Sequence, residues 1–331
     1  MQENIVPSLP NYSDVLAAAH RIANICITTP LLESYTLNKR LGGRLLLKAE
    51  SLQTTGSFKL RGAANRITSM SEEDKARGVV ARSSGNHGLA IAYCAGLMGT
   101  NAIVVATDTA PDAKINRIRA AGARVVQVPM AELANVASEL QATEGRILVP
   151  PADDFHIVAG AGTVGLEIAR QAREQQLKID TVLTCCSGGG LTAGCLLGLS
   201  DLSPQTRVYA VEALGFEKMA NSLAAGQCVD LKPGKHSICD AISGLYMAKT
   251  PFEIIKPRLE GTLAVTDDEA MMAMRVAFEE LGLVLEPGGA VALAAALTGK
   301  MMTKDKTVVA VLSGRNVDPD LAAKALISSQ I

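Results

Sequence analysis

The sequence predicts an α/β fold: open, mainly parallel sheets covered by helices and arranged as two domains. Three observations carry this. Short apolar runs alternate with amphipathic stretches along most of the chain, the pattern of strands joined by crossover helices. Several of those runs end in serine- and glycine-rich turns that open a helix, which is where open α/β sheets place ligands. At 331 residues the chain is long enough for about two domains, each with its own core.

The expected strands, in order, are Arg44–Lys48 around three leucines, Val79–Arg82, Ala102–Ala106, Arg124–Val128, Thr181–Cys185, Arg207–Val211 and Thr307–Leu312. Between them the apolar spacing predicts helices over Asn86–Leu97, Asp112–Ala121, Ala131–Ala142, Val164–Glu174 and Asp267–Leu281. The last opens on acidic residues, which suits the helix dipole. From Val79 the alternation runs as a compact block closed by Val149-Pro150-Pro151-Ala152-Asp153-Asp154. This predicts a small mobile domain over residues 79–150, inserted into a large domain built from residues 1–78 and 151–331. Gly226–His236, polar with Gly and Pro, reads as a surface loop.

Composition excludes several classes. Hydrophobic residues make up 48 % and the net charge is -1, so nothing argues for nucleic acid or an anionic membrane as partner. The start, Met1-Gln2-Glu3-Asn4, has no basic region leading into an apolar stretch, and no run reaches the roughly 18 apolar residues that span a bilayer. A cytoplasmic protein is expected. The seven cysteines are odd in number and lie mostly in apolar segments without a CxxC, as for reduced core thiols. Adjacent Cys185 and Cys186 read as core packing.

The chemistry centres on Lys59, in Gly56-Ser57-Phe58-Lys59-Leu60-Arg61-Gly62. A lysine that attacks carbonyls must lose its charge through burial or a cationic neighbour. Phe58 and Leu60 beside it, with Arg61 two residues on, offer such a setting. Ser83-Ser84-Gly85-Asn86-His87-Gly88 follows a strand and opens a helix, so its N–H groups and hydroxyls can hold a carboxylate; a plain N-cap explains it equally. Ser187-Gly188-Gly189-Gly190-Leu191-Thr192-Ala193-Gly194 follows another strand, and its glycines let backbone approach a phosphate. Gly188–Ala193 also fits the dinucleotide pattern G-x-G-x-x-A, with Glu212 ending the next strand where a ribose-binding acid belongs. An NAD-binding oxidoreductase is therefore a second class of reading, one that leaves Lys59 and the Ser83 turn unexplained. Gly160–Gly165 is a glycine-rich lookalike that follows no strand. Ser313, in Val311-Leu312-Ser313-Gly314 after the last apolar run, stands at the carboxyl edge of the sheet.

Together, Ser57-Phe58-Lys59, Ser83–Gly88, Ser187–Gly190, Glu286-Pro287-Gly288-Gly289-Ala290 and Ser313-Gly314 resemble the fold type II pyridoxal phosphate enzymes, specifically the serine/threonine dehydratase and serine racemase family. The resemblance runs from about residue 12 to residue 318. It implies a tryptophan synthase beta-like fold, two open twisted α/β domains with the active site between them, and pyridoxal 5'-phosphate as cofactor. Lys59 would be the Schiff-base lysine and Cα base, with Phe58 packed on the ring. Asn86 would bond the 3-hydroxyl, Ser187, Gly188, Gly189, Gly190 and Leu191 would hold the phosphate, and Ser313 would meet the pyridine nitrogen. Ser83, Ser84, Gly85 and His87 would receive the substrate carboxylate, and Ser84 stands where racemising relatives keep the base for the opposite face. The implied activity is a dehydratase, an ammonia-lyase turning L-serine or L-threonine into a 2-keto acid and ammonia; a 3-hydroxyaspartate dehydratase or an amino acid racemase is the alternative on the same scaffold. A homodimer acting on a small amino acid is implied as well. The chain departs from the pattern in several places. Ser187 replaces a glycine, and Ala241 replaces a glycine over the cofactor face. Lys218 stands where some relatives pair a carboxylate with Glu212 to hold a divalent cation, so no metal site is assigned and the cation is left open. Basic residues are absent from Pro129–Leu140, where some members keep a substrate-contacting arginine.

Overall fold

The computed structural model describes residues 9–327; the Met1–Asn4 segment lies outside them. Among the described residues ten strands alternate with helices: β1 (Leu31–Glu33), β2 (Arg44–Lys48), β3 (Val79–Arg82), β4 (Ala102–Thr107), β5 (Arg124–Val128), β6 (Ile147–Leu148), β7 (Thr181–Cys185), β8 (Arg207–Ala213), β9 (Gly261–Val265) and β10 (Thr307–Val311). They build two sheets, a six-stranded one in the order β1-β2-β10-β7-β8-β9 and a four-stranded one in the order β5-β4-β3-β6. Every pairing is parallel except that of β1 with β2. Parallel strands need helices on both faces, and the central strands β7 and β10 are accordingly buried on nearly every residue. Among the described residues no helix is long and apolar enough to cross a membrane.

The helix that begins at Lys59, Lys59–Thr68, links the two sheets. Its first residues adjoin the large sheet, where Phe58 N–H donates to Ser313 O at 3.0 Å and Ser57 bridges to Gly314. Its apolar face, Leu60, Ala63, Ala64 and Ile67, packs into a core shared with Val79, Ala81 and Val104 of the small sheet and Ile91 of the Asn86–Leu97 helix.

Several elements differ from expectation. The helix expected from Val164 begins at Phe155, where Asp154 caps it by accepting from Ile157 N–H at 2.9 Å. Its glycines, read as a ligand-loop lookalike, serve packing: a Cβ at Gly198 on the Gly190–Leu199 helix would meet Gly162 O at 2.2 Å. The two helices touch through backbone, and the missing side chains permit that approach. The helix expected from Ala131 starts at Leu133, after a single 3-10 turn over Met130–Glu132. Strands β1, β6 and β9 are not among the expected ones: β1 has three residues and β6 two, and β9 opens on Gly261 with partly exposed positions, so none carries a buried apolar run.

Candidate active site

Strands β7 and β10 are parallel neighbours, so the turns after them leave the sheet on the same edge. Ser187–Gly190 follows β7 and Ser313 follows β10. Cys185, the last residue of β7, donates its thiol proton to Ser313 Oγ at 3.1 Å and joins the two turns. The Phe58 N–H contact to Ser313 O brings the Lys59 segment to the same edge.

Lys59 Nζ donates to Pro151 O at 2.8 Å, inside the segment that connects the small sheet back to the large one. The lysine is partly open to solvent, but the Phe58 ring lies 5.0 Å from its ammonium. Its walls include Gly62, His87, Pro151, Ile157 and Gly190. Burial lowers its pKa to about 8, although the nearby Cys185 and Glu286 pull the other way. Arg61, the cationic neighbour expected to help, takes no part. It is buried in a network with Glu50 (Nε–Oε2, 2.7 Å) and Glu167 (Nη1–Oε1, 2.6 Å), and Lys48 joins Glu167 at 2.6 Å. Two cations and two carboxylates cancel there. Desolvation is what frees the Lys59 amine.

The Ser83–Gly88 turn follows β3 and opens the Asn86–Leu97 helix, whose N-cap, Gly85, supplies no side-chain cap. The helix start therefore offers free N–H groups. Ser83 Oγ accepts from Gly85 N–H at 3.2 Å, while Ser84 Oγ has no protein partner among the described residues. His87 faces away from an ionic role. Its buried ring meets Val149 O at 2.9 Å through Nε2, and burial, with Lys59 next, lowers its pKa to about 3. The ring is neutral, so its backbone N–H is what His87 can offer a carboxylate. Asn86 donates to Glu286 Oε1 at 2.6 Å and accepts from Asn316, leaving one amide proton to give.

The Ser187–Gly190 turn meets a helix start that is buried and again lacks a side-chain cap. Gly189 has φ +89°, a left-handed conformation that side chains resist. Unsatisfied N–H groups at a buried helix start form an anion site.

Glu286, quoted only as part of a motif, is a site residue that sequence reasoning missed. It is buried, its N–H donates to Gly314 O at 3.1 Å, and burial raises its pKa to about 7. An acid directly before Pro-Gly-Gly at the start of a wholly apolar helix was the available signal. Ala241 lies over this helix start, since a Cβ at Gly288 would come within 3.2 Å of Ala241 Cβ. Next to Ala241 in the same turn, Asp240 pairs with Lys114 of the Asp112–Ala120 helix.

Glu212 overturns the dinucleotide reading. Its buried carboxylate accepts from Met219 N–H at 2.8 Å and Ala220 N–H at 3.1 Å, capping the Lys218–Ala225 helix. It is not presented to a ribose. Lys218 is buried beside it and donates to Ile242 O at 3.2 Å.

Comparison with known proteins agrees with this geometry. A family model described as pyridoxal-phosphate dependent enzyme matches residues 22–314. The serine racemase of Dictyostelium discoideum is 36% identical over 318 residues, covering 95% of this chain and 97% of that protein. A putative threonine dehydratase of Sinorhizobium fredii is 38% identical over 308 residues, 92% of this chain and 91% of its own. Among solved structures, maize serine racemase superposes with a TM-score of 0.90 at 30% identity, covering 96% of this chain and 97% of that one.

Proposed function

Because the chain belongs to the pyridoxal-phosphate dependent enzyme family, we propose that it is an ammonia-lyase of small β-hydroxy amino acids, converting L-serine or L-threonine to a 2-keto acid and ammonia. The observation that carries this reading is the convergence on one sheet edge of a desolvated lysine, an uncapped glycine turn and a neutral hydroxyl, Ser313.

The residues present fit pyridoxal 5'-phosphate. Gly190, Leu191 and Thr192 open a buried helix whose N–H groups have no side-chain cap, and these, with Ser187, Gly188 and Gly189, would hold the phosphate. Ser313 Oγ accepts from Cys185 and donates to no protein atom among the described residues, so its proton is available to a ring nitrogen. Ser57 Oγ and His87 Nδ1 are buried beside Lys59 without partners, as expected of polar atoms that line a site for a further group. Phe58 would pack on the ring, and the spare amide proton of Asn86 would reach the 3-oxygen. When bound, the cofactor supplies an electron sink that makes the substrate Cα proton acidic.

The chain's own groups do the rest. Free N–H groups at Asn86 and His87, with the Ser83 and Ser84 hydroxyls, hold the substrate carboxylate. Lys59, neutral in useful proportion because it is desolvated, accepts the Cα proton. Ser313 offers a hydroxyl where a carboxylate would keep the ring nitrogen protonated. Met by Ser313 in this way, the cofactor would supply a weaker electron sink, one suited to β-elimination. Residues 79–150 act in this reading as a small mobile domain, with the Asn86–Glu286 and Lys114–Asp240 contacts as its fastenings. In the same reading the protein works in the cytoplasm as a homodimer, the latter checked by light scattering.

A screen for keto acid release over β-hydroxy amino acids, with and without Mg²⁺, tests the assignment. Pyruvate from L-serine or 2-oxobutyrate from L-threonine is expected, and Lys59→Ala abolishes it. Protein that stays colourless with added cofactor would sink the idea. Racemisation is the second reading, favoured by the unpartnered Ser84 hydroxyl; D-serine in excess of pyruvate would put it first. Release of oxaloacetate from 3-hydroxyaspartate alone would select the third.

A further inference from the structure

We propose that Cys185 is a positioning residue: by donating its thiol proton to Ser313 Oγ, it fixes the Ser313 hydroxyl as a donor toward the cofactor ring nitrogen. This rests on the reading of Ser313 given above. The contact is 3.1 Å long and lies between residues 6% and 5% exposed. A serine hydroxyl has one proton and two acceptor positions, and its proton rotates to suit its surroundings. With no partner, Ser313 could equally turn its lone pairs outward and accept from a protonated ring nitrogen. The Cys185 proton biases the choice, because it fills one of the two acceptor positions and keeps Ser313 O–H from turning inward, leaving that proton on the outward side.

The thiol is suited to this. Burial pushes it up to about 11, though Ser313 and Lys59 pull it down, so it keeps its proton through the neutral range. Cys185 closes β7, and the parallel pairing of β7 with β10 through Leu183 and Ala310 fixes its height relative to Ser313. The preceding and following residues show a different use of sulfur and oxygen: Thr184 Oγ1 bonds Thr192 Oγ1 at 2.8 Å, and Cys186 is buried on the other face. Residues on a strand alternate between faces, so Cys185 alone of the three meets Ser313.

The test is a double-mutant cycle on cofactor affinity, with Cys185→Val and Ser313→Ala separately and together, read from the fluorescence of protein reconstituted with pyridoxal 5'-phosphate. Cys185→Val is expected to weaken binding about fivefold, the scale of one net hydrogen bond, and to cost nothing further once Ser313 is alanine. Cys185→Ser, which keeps a donor, should restore most of the affinity. A valine effect equal in both backgrounds, or no rescue by serine, overturns the proposal. A second readout needs no cofactor. The S–H stretching band of Cys185, isolated as the wild-type minus Cys185→Val difference, should sit at the hydrogen-bonded position and move when Ser313 becomes alanine; an unmoved band also overturns it. Wild-type protein that binds no cofactor refutes the functional reading instead, and the S–H band then decides the Cys185 contact alone.

Discussion

The pH dependence of Lys59 reactivity follows directly from its surroundings. Burial takes the amine from 10.5 to about 8. At pH 7 about one lysine in ten is then neutral, against roughly one in three thousand for an unshifted side chain, a gain of about 300-fold in nucleophile. The sharper contrast lies higher. Between pH 9 and pH 10 the neutral fraction of Lys59 rises by only about a tenth, whereas that of a free lysine rises about eightfold. A brief pulse of limiting acetic anhydride on the cofactor-free protein, with the Lys59 peptide quantified by mass spectrometry at each pH, reads this fraction. Labelling should level off above about pH 9. Labelling that climbs through pH 10 in parallel with free lysine would refute desolvation as the source of reactivity. The sign for stability is also fixed. Between about pH 8 and 10.5 the unfolded chain binds more protons at this residue than the folded one, so the Lys59 contribution to stability grows as pH rises across that window.

Glu286→Gln removes a negative charge that opposes the burial effect, so the same labelling midpoint should move below 8; an upward shift would contradict the electrostatics. Arg61→Met strands Glu50, which is 0% exposed, and should cost about 3–5 kcal/mol, or about 4–7 °C in Tm for a chain of this length. In the wild type, burial pushes Glu50 up but Arg61 and Lys48 outweigh it and hold the carboxyl below its usual range. In the variant it is freed to take a proton, so the deficit should shrink as pH falls; a deficit under about 1 kcal/mol, or one that is flat with pH, contradicts the network. Gly189→Ala forces a side chain into φ +89° and against Ile255, Met247 and Pro251, each 3.0 Å from the new Cβ. A loss of about 1–2 kcal/mol is expected from the backbone alone, measured by urea unfolding, together with weaker cofactor retention.

Local signals were legible in the sequence and long-range ones were not. The turns at Ser83, Ser187 and Ser313 could be read because each combines a strand end, small residues and a helix start within a few positions. The helix from Phe155 was read short because Gly160, Gly162 and Gly165 weaken a helix on propensity; their worth lies in contact with the Gly190–Leu199 helix, which the one-dimensional pattern does not contain. Arg61 looked like a partner for Lys59 from proximity in sequence, yet on a helix residues two apart point to different sides, and Arg61 turns to Glu50 and Glu167. Cys185 reaches Ser313 across 128 positions and Asn86 reaches Glu286 across 200. The register of β7 with β10 sets the first pair, and the second joins two helix starts that belong to different sheets, so neither is written in the one-dimensional pattern. Glu212 shows the reverse hazard: its spacing suited a ribose, and its geometry caps a helix.

The central claim is that Lys59 is the amine that captures pyridoxal 5'-phosphate. Mixing the protein with the cofactor, reducing with borohydride and mapping the adduct by peptide mass spectrometry tests it most directly. The structure predicts one reduced pyridoxyl group per chain, on Lys59, absent from a folded Lys59→Ala variant. Adducts scattered over surface lysines with Lys59 unmodified would contradict it.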